Sequence, residues 1–152
     1  MIVHDDAMMR LALELAQAAA EAGEVPVGAV VYDPATGAVL GRGANAPIHG
    51  CDPTAHAEII ALRDAAKAIG NYRLTDLALA VTLEPCAMCA GAISLARIGR
   101  VIFGAADPKG GAVIHGARVF DQPTCHWRPQ VTGGSHEAEA AQLLKAFFAA
   151  RR

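Results

Sequence analysis

Four side chains in two short stretches have the types and spacing to do chemistry. His56 and Glu58 stand two apart in TAHAEIIAL, where an apolar helical pattern begins, and Cys86 and Cys89 stand three apart in PCAMC. Residues three apart share a helix face, so the two thiols can converge on one ion. The start of a helix favours anions and lowers a thiol pKa, so both can ionise there. His56, at the start of a different helix, can bring a neutral imidazole nitrogen to the same point. That makes three ligands. A structural zinc takes four protein ligands, whereas a catalytic zinc keeps one position for water, which then ionises near neutral pH. A carboxylate within reach can take the water's proton and hand it on to the group under attack. Glu58 suits that part; buried unpaired beside Ile59, Ile60 and Leu62 with no such role, it would cost several kcal/mol.

Each half of the pattern has a second reading when taken alone. PCAMC suits thiol–disulfide exchange, and HAE suits a plain helix start. A redox motif needs no distant histidine and glutamate, however. In the order H-x-E then P-C-x-x-C, each opening a helix, the four residues form one signal for catalytic zinc. The alternative from another class is a zinc that only ties two helices to a sheet.

The pattern also predicts the elements that hold these residues. Asp5 reads as the cap of a first helix reaching Ala22, with Met8, Leu11, Leu15 and the alanines on its buried stripe and Gly23 as its stop. DPATG supplies turn geometry between residues 25–32 and 38–45, which predicts a hairpin, followed by a loop over 46–53. Thr54 reads as the cap of a helix reaching Ile69, with His56 and Glu58 in its first turn and Gly70 and Asn71 after it. LALAVTL, residues 77–83, is too short for a helix and predicts a central strand covered on both faces. Pro85 suits the opening of a helix over 86–96, which puts both cysteines in its first turn. RVIFGA (100–105) reads as a strand, DPKGG (107–111) as a loop, 112–134 as poorly patterned, and 135–150 as a closing helix. Alternating strands and helices predict the α/β class: a three-layer α/β/α sandwich around a mixed sheet of about five strands. Ligands in such folds gather near strand ends.

The totals set bounds on function. A chain of 152 residues, 53% hydrophobic, suits a single domain, 1–152, with its own core. No basic segment leads into an apolar run at the start, and the longest apolar run, 86–96, falls short of the roughly 18 residues a membrane span needs. The expectation is a soluble, cytoplasmic protein with no membrane partner. Cysteines in that compartment are thiols or ligands, and Cys51 and Cys125 read as isolated thiols. The net charge of -2 conceals an asymmetry: residues 1–90 carry 5 basic and 11 acidic side chains, residues 91–152 carry 8 and 4. The basic second part permits a phosphate-binding surface, as scattered solvated charges also would.

Beyond the four-residue signature, EVPVGAVV, DPTAHAEIIALR, NYRL, VTLEPCAMCAGAI, RIGRVIFGA and DPKGGA cover Glu24 to Ala112 nearly continuously. In these stretches the chain resembles the zinc-dependent nucleobase deaminases of the cytidine/deoxycytidylate deaminase superfamily, and among them the bacterial tRNA-specific adenosine deaminases. The resemblance implies a cytidine deaminase-like fold with one Zn²⁺ per subunit on His56, Cys86 and Cys89, and Glu58 as proton shuttle. It further implies a homodimer that converts the wobble adenosine of a tRNA anticodon, an arginine tRNA, to inosine. Asn45 would hydrogen-bond the target base. Asp107 and Lys109 would run beside the substrate, and Phe148, Arg151 and Arg152 on the last helix would stack on bases and pair with phosphate. Phe147 reads instead as core. A deaminase of free guanine, cytosine or nucleosides on the same zinc site is the alternative. Residues 113–132 depart from the family pattern, with TCHW where a short NH motif is usual. Cys125 and His126 are left out of the ligand set, because a fourth ligand would close the site to water.

Overall fold

The computed structural model describes residues 2–151, so Arg152 lies outside the described residues. Its elements are α1 (Asp5–Glu21), β1 (Gly28–Tyr32), β2 (Val39–Ala44), α2 (Ala57–Ile69), β3 (Ala78–Leu83), α3 (Ala87–Leu95), β4 (Arg100–Ala105), a 3-10 turn (Val119–Asp121), β5 (Gln130–Thr132) and α4 (Glu137–Ala149). The sheet order is β2-β1-β3-β4-β5, with β1 antiparallel to both neighbours and β3, β4 and β5 parallel. It is the mixed five-stranded sheet that the alternation of elements predicts.

Residues alternate between the two faces of the strands. Val31, Leu79, Val81 and Phe103 pack with Ala61, Leu62 and Ile93 of α2 and α3, while Val30, Tyr32, Ala80 and Ile102 pack with Met9 and Leu13 of α1 and Ala140 of α4. Both faces are therefore covered, giving three layers. In β3, the middle strand, Ala78 to Thr82 are all buried, which is why its sequence reads as an unbroken apolar run. Small residues let α2 lie directly on β2: a Cβ at Gly43 would stand 2.1 Å from the carbonyl oxygen of Ala57. That close approach fixes the height at which His56 enters the site.

Two expected helix caps are replaced by other bonds. Asp5 does not cap α1, whose N-cap position is His4; its carboxylate instead takes the Tyr32 hydroxyl at 2.6 Å and the Arg100 guanidinium at 2.6 and 3.1 Å. A half-buried, bidentate charged pairing outcompetes a single bond to an exposed helix amide. Thr54 donates its hydroxyl to Asp52 at 2.7 Å, and α2 begins later, with His56 at the N-cap position. The first amide of the helix, that of Ala57, donates to Asn45 Oδ1 at 2.7 Å, so a residue just past the end of β2 does the capping. The hairpin is present, with β1 starting at Gly28 rather than at residue 25. β5 lies within the stretch that reads as poorly patterned.

Candidate metal centre and active site

His56 and Cys86 occupy the N-cap positions of α2 and α3, both in extended backbone, with ψ of 152° and 176°. Extended caps let side chains reach beyond the helix start, and the first turn of α3 carries Cys89 to the same place. His56 Nδ1 lies 3.6 Å from Cys86 Sγ and 3.5 Å from Cys89 Sγ, and the three ligand atoms all lie within 4.8 Å of one another. A tetrahedral zinc with Zn–S of about 2.3 Å and Zn–N of about 2.05 Å sets nitrogen and sulfur roughly 3.6 Å apart. Both nitrogen–sulfur spacings, and the chemistry of the donors, therefore fit zinc. Among the described residues the group holds three side chains, which leaves the fourth tetrahedral position to a small ligand. Cys125 is elsewhere, against Ser94 Oγ at 3.4 Å and the Trp127 carbonyl at 3.2 Å, and His126 is exposed.

Glu58 sits in the first turn of α2 and is 4% exposed. Burial pushes its carboxyl up to about 7; its own backbone amide opposes this, and the neighbouring Cys86 adds to it. The Cys86 thiol is drawn down to about 5, chiefly by the hydrogen bond it receives from Cys89, and the Cys89 thiol is pushed up by making that bond. The pair thus gives up its first proton readily and holds the second for an incoming cation to displace.

The remaining predicted residues divide between the two sides of the sheet. Asn45 belongs to the site end through its bond to Ala57, immediately after His56. Asp107 forms a tight turn, its Oδ1 accepting the amides of Lys109 at 3.2 Å and Gly110 at 3.0 Å, and the Lys109 side chain is exposed. The Ala112 amide donates to the Pro85 carbonyl at 2.9 Å and so brings this loop beside Cys86. Phe148 is exposed and Phe147 buried at the end of α4, in the layer across the sheet from α2 and α3. Arg151 donates to the Phe147 carbonyl at 3.0 Å and lies 3.5 Å over its ring. Sequence reasoning missed Glu24 and Glu84, both buried, which hold the loops on either side of the metal group. The available signal was a carboxylate placed directly between an apolar strand and PCAMC.

A three-layer fold carrying a zinc-fitting His/Cys/Cys group at two helix starts defines a class of hydrolytic deaminases, and comparison with known proteins agrees. Residues 2–105 match the family model described as the cytidine and deoxycytidylate deaminase zinc-binding region, and the chain belongs to that family. It is 51% identical over 144 residues to a tRNA-specific adenosine deaminase of Agrobacterium fabrum, covering 95% of this chain and 93% of that relative. A solved structure from a study of A-to-I editing by tRNA:A34 deaminases at the wobble position of transfer RNA superposes with a TM-score of 0.87 at 52% identity, covering 90% of this chain and 98% of that one. A guanine deaminase from Nitrosomonas europaea is more distant, with a TM-score of 0.78 at 25% identity over 95% of this chain and 84% of its own.

Proposed function

We propose that this protein hydrolyses the wobble adenosine of a tRNA anticodon, that of an arginine tRNA, to inosine, releasing ammonia. The observation that carries the reading is the three-ligand group with buried Glu58 beside it, in a chain that matches a tRNA-specific adenosine deaminase over nearly the whole length of both.

Zinc bound by His56, Cys86 and Cys89 supplies a Lewis acid that activates water. Glu58 moves the protons. Water adds to the amine-bearing ring carbon of the flipped adenine while Glu58 carries one of its protons to the ring nitrogen; the same carboxyl then carries the second, from the new hydroxyl, to the amine, and the C–N bond breaks to leave the carbonyl and ammonia. Burial raises this carboxyl above its ordinary range, which favours its acting as an acid as well as a base. Asn45 has its Oδ1 committed to Ala57, which leaves its amide N–H groups to donate to the base. Asp107 and Lys109 face the sugar and phosphate beside that base, while Phe148, Arg151 and Arg152 contact RNA beyond the pocket.

The reading includes one domain over 1–152, working in the cytoplasm as a homodimer. Among the described residues no helix is long and apolar enough to cross a membrane. The dimer is supported by α3, a helix of small and apolar residues apart from Ser94, which leaves Leu95 79% exposed, with open space over Gly91. The likeness to a guanine deaminase favours one second reading, a deaminase of free bases. A side-by-side assay of an anticodon stem-loop against free purines and nucleosides, with zinc measured on the same sample, tests the choice. Inosine in the stem-loop with little turnover of free adenosine or guanine is expected; the reverse pattern rejects the tRNA reading.

A further inference from the structure

Two buried carboxylates outside the metal group each hold a histidine. Glu24 accepts the amides of Ile48 at 3.2 Å and His49 at 2.8 Å, and meets His49 Nδ1 at 2.7 Å. Glu84 takes the Asp107 amide at 3.0 Å and His115 Nδ1 at 2.8 Å on one oxygen. Its other oxygen takes the amides of Val113, Ile114 and His115 at 3.1, 3.0 and 3.1 Å. Both glutamates are 2% exposed. The two pairs stand on the two loops that bound the metal group. Residues 46–55 lead from Asn45 into His56, and residues 106–115 follow β4 and are tied to Pro85 beside Cys86.

In each pair the ring nitrogen nearer the backbone is taken up inside the protein, while the side chain is 63% exposed for His49 and 34% for His115. No partner for either Nε2 occurs among the described residues. Backbone amides already engage both oxygens of each glutamate, and the imidazoles extend each anchor toward solvent. The loop of His115 also carries exposed Lys109, and Arg118 follows just after it.

We propose that His49 and His115 grip the RNA backbone on the two sides of the target nucleotide, each donating Nε2–H to a phosphate while its Nδ1–H stays on the buried glutamate. With an acceptor at both nitrogens, each ring bridges the buried glutamate and the phosphate. The proposal rests on the RNA-deaminase reading above and names groups that hold the substrate.

Asparagine keeps a donor where Nδ1 stands and removes Nε2. In a zinc-loaded Glu58→Ala parent, which leaves the RNA unreacted, His49→Asn, His115→Asn and the double variant are titrated with anticodon stem-loop from about 50 to about 200 mM salt. Each lost contact to single-stranded phosphate lowers the slope of log Kd against log salt by about 0.7, and the double variant loses about 1.4. Zinc content and melting temperature stay at the parent's values. His49 is the more exposed, so its variant is the safer to fold, and its slope alone decides. A parental slope, with or without weaker binding, overturns the phosphate contacts while leaving the deaminase reading in place. Wild-type protein that leaves the stem-loop adenosine intact overturns both.

Discussion

Glu58 and Glu84 lie at the same end of the sheet, buried to nearly the same degree, and their carboxyls titrate in opposite directions. Burial would raise both. At Glu84 the amides of Asp107, Val113 and Ile114 and the ring of His115 outweigh burial and hold the carboxyl at about 2. At Glu58 burial wins, and the carboxyl stands at about 7. The difference teaches that donor supply, not depth, decides whether a buried acid is an anchor or a reagent. Glu84 has five donors and nothing left to offer a substrate, whereas Glu58 is under-supplied beside the ligand group.

The largest expected effects fall on the reagent side. Glu58→Ala should lower inosine formation by roughly 10²–10⁴-fold while zinc content stays at one per chain. Retained turnover would remove Glu58 from the reaction, and lost zinc would recast it as part of the metal site. Cys86→Ala should instead lose the metal itself, seen by metal analysis of the purified variant, because two remaining ligands do not hold zinc as three do.

Next come stability differences of opposite sign in the metal-free protein. Glu84 is held below its ordinary 4.5, so its contribution, about 3 kcal/mol, is fully present above pH 4.5 and is lost as pH falls toward 2. Glu58 is raised above 4.5, so the unfolded chain gives up that proton first. Stability falls as pH rises from about 4.5 to about 7, again by about 3 kcal/mol, and the deficit persists above that. Urea unfolding at pH 8 should therefore find Glu58→Gln more stable than wild type and Glu84→Gln less stable. The Glu58→Gln gain should vanish near pH 4. Equal signs at pH 8 would dissolve the contrast.

A smaller effect probes the space around Glu84. A Cβ at Gly111 would stand 2.4 Å from the Glu84 carboxyl carbon and 2.5 Å from the Asp107 carbonyl oxygen. Gly111→Ala should cost about 1–3 kcal/mol, read as a lowered Tm, because neither neighbour can retreat without giving up its hydrogen bonds. An unchanged Tm would mean that the loop is held less tightly than five donors imply.

The same contrast explains what could be read from the chain. His56, Cys86 and Cys89 converge through local rules: spacing, helix starts and a proline at the opening. Strands β3 and β4 were legible because buried parallel strands are apolar throughout. The choices that failed were competitions between a near partner and a far one. Asp5 could cap its own helix, but Arg100 and Tyr32, distant in sequence, offer more. Thr54 could cap α2, but Asn45 reaches the first amide from the end of β2. Glu84 is legible only as an acid in an odd place, since its donors lie some 23 to 31 residues further on. β5 consists of three exposed residues between Pro129 and two glycines, too short to show alternation.

Asn45 combines the two behaviours in one side chain and is the finest test of the contrast. Its Oδ1 is an anchor, satisfying the first amide of α2, and its N–H groups are the donors that the proposed function assigns to the base. Asn45→Ala removes both and should cost about 1 kcal/mol of stability as well as turnover. Asn45→Asp separates them. A carboxylate still accepts from the Ala57 amide, and its charge suits the start of a helix, so stability should stay within about 0.5 kcal/mol of wild type. It also sets an acceptor where the proposed reading has Asn45 donate to the base, so on that reading turnover of the stem-loop should fall while Tm holds. Wild-type turnover by Asn45→Asp would mean that the residue serves only as the cap of the helix that carries Glu58, and that the base is recognised by other groups.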